Sequence, residues 1–242
     1  MSQSPDSKSE KLPVNDHVLI AAEAAISLLP GGSILALLLD KYVPTTLQAR
    51  RDELLATLRD DLERLKRRIS DERLRSQAFH VTLVRVLRDS VGESAKEKQA
   101  AFRAILLNEA VASSENPESG LFIKITEDLT AEHIQTLRVL HAPGQTAKEQ
   151  PRVAEAVRAP MSTNLFRPMP STLVSLLLQP ALPDIPSDHW RVLLTGLASF
   201  GLIENMDESW TGWDRPIDPR EALKKRTTSL GDRYINSITF LE

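Results

Sequence analysis

Cysteine is absent from the 242 residues. Disulfides, thiolate nucleophiles and cysteine-based zinc sites are excluded together, and a reducing, cytoplasmic setting is expected. Aromatic residues are scarce at 5%, so any core is built from Leu, Ala, Val and Ile. That palette favours packed helices over a sandwich of strands. A surplus of charge of one sign is missing as well. The formal net charge is −3, and residues 1–142 hold 19 Lys and Arg against 21 Asp and Glu, leaving 11 against 12 for the rest. Neither part has the cationic excess of a strong nucleic-acid binder.

Catalytic signatures are equally thin. The five histidines, His17, His80, His133, His141 and His189, show no metal-ligand spacing and no H-E-x-x-H. Gly31-Gly32 is followed by no Lys-Ser/Thr, so no phosphate-cradling loop is present, and there is no Gly-x-Ser-x-Gly elbow. Asp60-Asp61 and Asp71-Glu72 are neighbouring acids, but adjacent helical residues point apart. The expectation is a protein without catalytic or metal-binding residues and without a cofactor.

Residues 1–15 are polar, carry both signs of charge and are expected to form a disordered leader. The uncharged stretch "AAISLLPGGSILALLL", residues 24–39, has Pro30-Gly31-Gly32 at its middle. A membrane-crossing helix needs roughly 20 apolar residues in one unbroken rod, and this triplet breaks the rod. Two short helices, about 16–29 and 33–42, are predicted to fold as a hairpin. The hairpin either sits in the core of a bundle or leaves it to insert into lipid.

Thr46 is a plausible N-cap for the next helix. From there Leu55, Leu58, Leu62, Leu65 and Ile69 recur at spacings of three and four, the narrow apolar seam of a helix pair. Asp60–Arg64 and Glu63–Arg67 stand four apart, acid first, as suits a solvated face. The basic cluster "RLKRR", residues 64–68, is ringed by acids and is expected to be surface charge. The apolar pattern continues through Leu74, Ala78, Val81, Val84, Leu87 and Val91 to Gly92. Ser94 and Glu97 form a Ser-x-x-Glu capping box for a helix that turns Phe102, Ile105, Leu106 and Ala110 inward. A last helix, about 117–129, carries Leu121, Phe122, Ile125 and Leu129. Residues 16–129 are therefore expected to form a multi-helix bundle.

Thr130 caps "AEHIQTLRVLH", with Ile134, Leu137 and Leu140 as its apolar stripe. Residues 142–170 hold five prolines and are predicted to form an irregular connector, with a helical turn near "RVAEAVRA". "TLVSLLLQ" follows, apolar on nearly every face. Ser187 is expected to open a third helix with Trp190, Leu193, Leu194, Leu197 and Phe200 inside. Gly201 and Leu202 suit a left-handed cap. Strand-like "GLIEN" and "KKRTTSL" come next, and an amphipathic helix closes the chain.

This order, together with "LASFGLIEN" at 197–205 and "TTSLGDRYINSI" after the wing, resembles a winged-helix domain over residues 130–242. The fold class expected is thus mainly α: an N-terminal bundle with a helical hairpin, then a winged-helix-like domain with a two-stranded wing. The resemblance implies that the third helix reads DNA. Its outward residues are Ser187, Asp188, Arg191, Thr195 and Ser199, and only Arg191 suits base readout. The wing carries Asp207, Glu208, Asp214, Asp218 and Glu221 against Lys224, Lys225 and Arg226. Trp210 and Trp213 lie in the same loop and are candidate interface anchors. The expected function is a regulatory or adaptor role through binding another protein or a second copy, with the Leu55–Ile69 seam and the two tryptophans as contact surfaces. Two rivals stay open. One is a DNA-binding regulator using Arg191, Lys224, Lys225 and Arg226; the other is a membrane-perturbing effector using the 16–42 hairpin.

Overall fold

The computed structural model describes residues 48–65, 67–69, 71–114, 116–158, 172–206, 210 and 217–240. The expected leader, the 16–42 hairpin and Trp213 lie outside the described residues. Within the described residues the chain is mainly helical, as its composition predicts, and contains no strand. Two compact units emerge: Met1–Gly92 with Glu109–Glu115, and Glu93–Asn108 with Asn116–Glu242. The sequence division placed at 129/130 runs through the second unit.

In the first unit α1 (Gln48–Leu65) and α2 (Asp71–Arg75) pack on α3 (Gln77–Gly92). Leu55, Leu58, Leu62 and Leu65 of the periodic seam lie on α1, and Ile69 follows in the turn before α2. Arg68 closes a turn onto the Leu65 carbonyl at 2.7 Å, and the Ser76 hydroxyl accepts from the Phe79 amide at 3.2 Å, capping α3. Leu58, Leu62 and Leu65 are buried with Leu74, Phe79, Leu83, Val86 and Leu87. Asp61 is buried too, and Arg64 pairs with it.

The helix α4 (Lys96–Val111) is apolar on most sides and is buried accordingly at Ala101, Phe102, Ala104, Ile105, Leu106, Leu107 and Ala110. Its first turn differs from the expected capping box. The Glu93 carboxylate accepts from the amides of Ser94 and Ala95 at 2.8 and 2.9 Å, while Glu97 takes a hydrogen bond from Gln135 at 3.0 Å. Two acids lay within reach, and the nearer one reached the free amides without bending the chain back.

The rest of the second unit is built around α6 (Ala131–His141), which packs on α10 (Trp190–Ser199) and α12 (Ser229–Ile238). Helix α5 (Ser119–Asp128) also meets α12, where Thr126 Oγ1 and Tyr234 Oη lie 3.0 Å apart in the core. Residues 142–158 are more helical than the predicted connector: a helix lies where a helical turn was expected near "RVAEAVRA", and a second precedes it. They form α7 (Pro143–Glu149) and α8 (Pro151–Arg158), each with proline in its first turn. Proline lacks an amide hydrogen that the first turn would leave unsatisfied, so there it starts a helix instead of ending one. Val174–Leu178 is a π-helical turn ahead of α9 (Gln179–Ala181). Pro180 cannot donate to the residue four before it, and the Gln179 amide bonds to the Val174 carbonyl five back.

Candidate functional site

Helix α10 begins at Trp190, three residues later than its predicted start, because Ser187–His189 close as a turn with the His189 amide on the Pro186 carbonyl at 3.0 Å. Trp190 locks the helix from within: its indole Nε1 donates to Gln179 Oε1 at 2.7 Å, and Gln179 in turn donates to the Ile185 carbonyl at 3.1 Å. Leu193, Leu194 and Leu197 are buried beside it. The opposite side shows Arg191, Val192, Thr195 and Ser199 to solvent, and Val192 is 68% exposed.

The end of α10 follows the anticipated cap. Gly201 adopts φ 68°, its amide bonds to the Ala198 carbonyl at 2.8 Å, and the Leu202 amide reaches the Leu197 carbonyl at 3.1 Å. This is a Schellman motif with Leu197 and Leu202 buried as its apolar contact. The wing expected beyond it reduces, among the described residues, to one antiparallel bridge between Ile203 and Thr227. The Glu204 amide meets the Arg226 carbonyl at 2.9 Å, and the Thr228 amide meets the Leu202 carbonyl at 3.1 Å. Pairing stops there for three reasons. The Arg226 amide turns to the Leu140 carbonyl of α6 at 3.0 Å. Thr228 caps α12, accepting from the Gly231 amide at 3.1 Å. Upstream, Asp218 caps the short helix α11 (Pro219–Ala222), accepting from the Arg220 amide at 2.7 Å.

The three cations at the wing base each meet an acid of the same unit. Lys224 Nζ lies 2.7 Å from Glu221, Lys225 Nζ 2.6 Å from Asp232, and Arg226 Nη1 3.8 Å from Glu204. Arg226 also donates to the Glu221 carbonyl at 3.1 Å and places its guanidinium 5.7 Å from the centroid of the Trp210 ring. Burial pushes the Asp232 carboxyl up, but hydrogen bonds from Lys225 and Thr227, with the charges of Lys225 and His141, hold it below the usual range.

Of the sequence-derived candidates, Arg191 stands exposed on α10. Trp210 is 1% exposed: its ring is a packing element of its own unit under Arg226, not a surface anchor. Leu58, Leu62 and Leu65 are core residues of the first unit and Ile69 is half-buried. Leu55 belongs to α1, and Trp213 lies outside the described residues. Two positions escaped the sequence reading. Val192 follows an outward-facing residue in a helix whose inner stripe already holds enough apolar side chains, a countable signal. His133 occupies the third position after a Thr N-cap, where Glu or Gln is the usual partner.

Among the described residues no group of three or more His, Asp or Glu is placed to hold a metal ion, and no helix is long and apolar enough to cross a membrane. No protein-family model, curated protein or solved structure matches the chain.

Proposed function

We propose that the chain is a non-enzymatic interaction protein that contacts another protein, or a second copy of itself, through the outer face of α10. The observation that carries this reading is the pairing of Lys224, Lys225 and Arg226 with Glu221, Asp232 and Glu204. A DNA contact at the wing would have to break those pairs before any phosphate could replace the carboxylates, and the counterion release that drives such binding shrinks accordingly. The α10 face instead offers Val192 between Arg191 and Thr195, one apolar side chain among neutral or singly charged neighbours. Such a mixture suits the edge of a protein contact, where a small apolar patch is rimmed by polar groups.

A photo-crosslinking amino acid at position 192 is expected to trap a protein or a second copy of the chain. Val192→Asp is expected to abolish that association while leaving unfolding within about 0.5 kcal/mol of the parent, as for other surface substitutions. DNA binding followed by fluorescence anisotropy across a salt series is the opposing test. An affinity that falls steeply with salt, and less steeply once Arg191, Lys224 and Lys225 are replaced by Ala, overturns the proposal in favour of a DNA-binding regulator.

A further inference from the structure

The N-terminus of α6 is closed by a capping box in which the usual carboxylate or amide is replaced by an imidazole. Thr130 Oγ1 accepts from the His133 amide at 3.4 Å, and the Thr130 amide donates to His133 Nδ1 at 3.2 Å. The Thr130 amide has one hydrogen and nothing to accept with, so Nδ1 must present its lone pair. The Thr130 hydroxyl lies 2.9 Å from the same nitrogen and 2.7 Å from Glu132 Oε2, sharing its hydrogen between them. On its far side the ring is wedged against α10. A Cβ built on Gly196 would fall 2.5 Å from His133 Nε2, so the ring lies directly against α10 and a larger residue at 196 would have to displace it. One neutral imidazole thus closes a helix cap with one nitrogen and abuts a second helix with the other.

We propose that His133 is a pH-sensitive latch: protonation at Nδ1 breaks the cap of α6 and loosens the crossing of α6 and α10. A hydrogen on Nδ1 would face the Thr130 amide hydrogen, two donors aimed at one point. The Thr130 hydroxyl can turn to accept from the imidazolium, but the Thr130 amide, at an exposed cap, then loses its protein acceptor and keeps only water. Burial lowers the basicity of the ring below that of an ordinary histidine, and the negative charge of Glu132 opposes that effect without cancelling it.

The surrounding charges are otherwise engaged. Arg191 is the one charged side chain on α10, more than a turn from Gly196. On α12 Asp232 meets Lys225 and His141, Arg233 pairs with Glu118, and the Tyr234 hydroxyl meets Thr126. On α7 Lys148 and Glu149 lie at the end away from α6. The π-helical turn carries no charge. Of the neighbouring segments, Asp128 pairs with Lys124, Glu97 takes the Gln135 amide, and Lys98 pairs with Glu93.

A histidine whose folded pKa lies below its unfolded value binds its proton more readily when the chain is unfolded. The stability that the neutral ring contributes is therefore complete above the unfolded value of 6.5. It declines as pH falls from there through the folded pKa.

The test needs only the free full-length chain, so it does not depend on the proposed contact face. His133→Gln keeps an acceptor at the third cap position and removes the titration. Between about pH 7.5 and about pH 5 the thermal midpoint of the parent is expected to fall further than that of H133Q, by about 2–4 °C. Equal losses in the two proteins overturn the proposal. A direct titration of the parent by NMR covers the case in which H133Q does not fold. The latch requires His133 to titrate below the ordinary histidine range, with the amides of Thr130 and Gly196 shifting at the same midpoint. Titration at or above that range, or amides that do not follow it, defeats the idea.

Discussion

Arg73 and Glu109 lie 36 residues apart in the chain and form a buried ion pair in the first unit, their side chains 7% and 2% exposed. Arg73 Nε also donates to the Glu109 carbonyl at 3.0 Å, so the guanidinium reads both backbone and side chain. Breaking one side of such a pair leaves an uncompensated buried charge. Arg73→Met is expected to lose about 3–5 kcal/mol in urea denaturation, and Arg73→Met with Glu109→Leu to recover most of it. A double variant no more stable than the single one would show that the pair contributes beyond avoiding a stranded charge. Nothing in the local sequence distinguishes Arg73 from Arg75 or Arg85; only the place where α4 ends selects it. Thr130 is the contrary case. A Thr before an apolar-periodic run is visible in the sequence, because a cap is a contact between residues three apart.

Elements were legible where periodicity or a local start signal speaks, as in α3, α4, α6, α10 and α12. They were misjudged where a proline has two meanings: Pro143 opens a helix in a stretch predicted to be irregular, and Pro151 extends the expected turn into a helix of its own. The wing failed for a tertiary reason. The strand-like residues at 224–230 have the composition of a strand, yet the Arg226 amide is taken by α6 and Thr228 by the cap of α12. That junction is tight at Gly231, where an added Cβ would lie 2.0 Å from the Leu202 carbonyl oxygen and 3.2 Å from Thr227 Cβ. Gly231→Ala is expected to cost about 3 kcal/mol, because the backbone of the bridge must shift to admit it. A calorimetric scan showing an unchanged midpoint would mean the start of α12 can slide away from Leu202 freely.

At the scale of the whole molecule, two compact units share one covalent helix, since α4 contributes Glu109–Val111 to the first and its earlier residues to the second. Denaturation is expected to show two transitions rather than one. Arg73→Met should lower the first unit's transition and Gly231→Ala the second's, as followed by hydrogen exchange in peptides from each. A single transition moved equally by both substitutions would show that α4 couples the units into one folding block. Composition alone determined a helical protein with aliphatic cores, because few aromatics and many Leu and Ala leave little else to bury. Spacing determined which faces of α1, α6 and α10 turn inward, since a period near 3.6 survives whatever the helix packs against; on α3 it pointed to Val81, which is 47% exposed, while Phe79, Leu83 and Val86 turn inward with Leu87. Tertiary structure alone decided the fate of the charges and of the tryptophan. Lys225 and Asp232, Arg226 and Glu204, and Arg226 and Trp210 meet only because α12 and the bridge return to the end of α6. Long-range pairing depends on where the chain goes, and local sequence carries no record of that path.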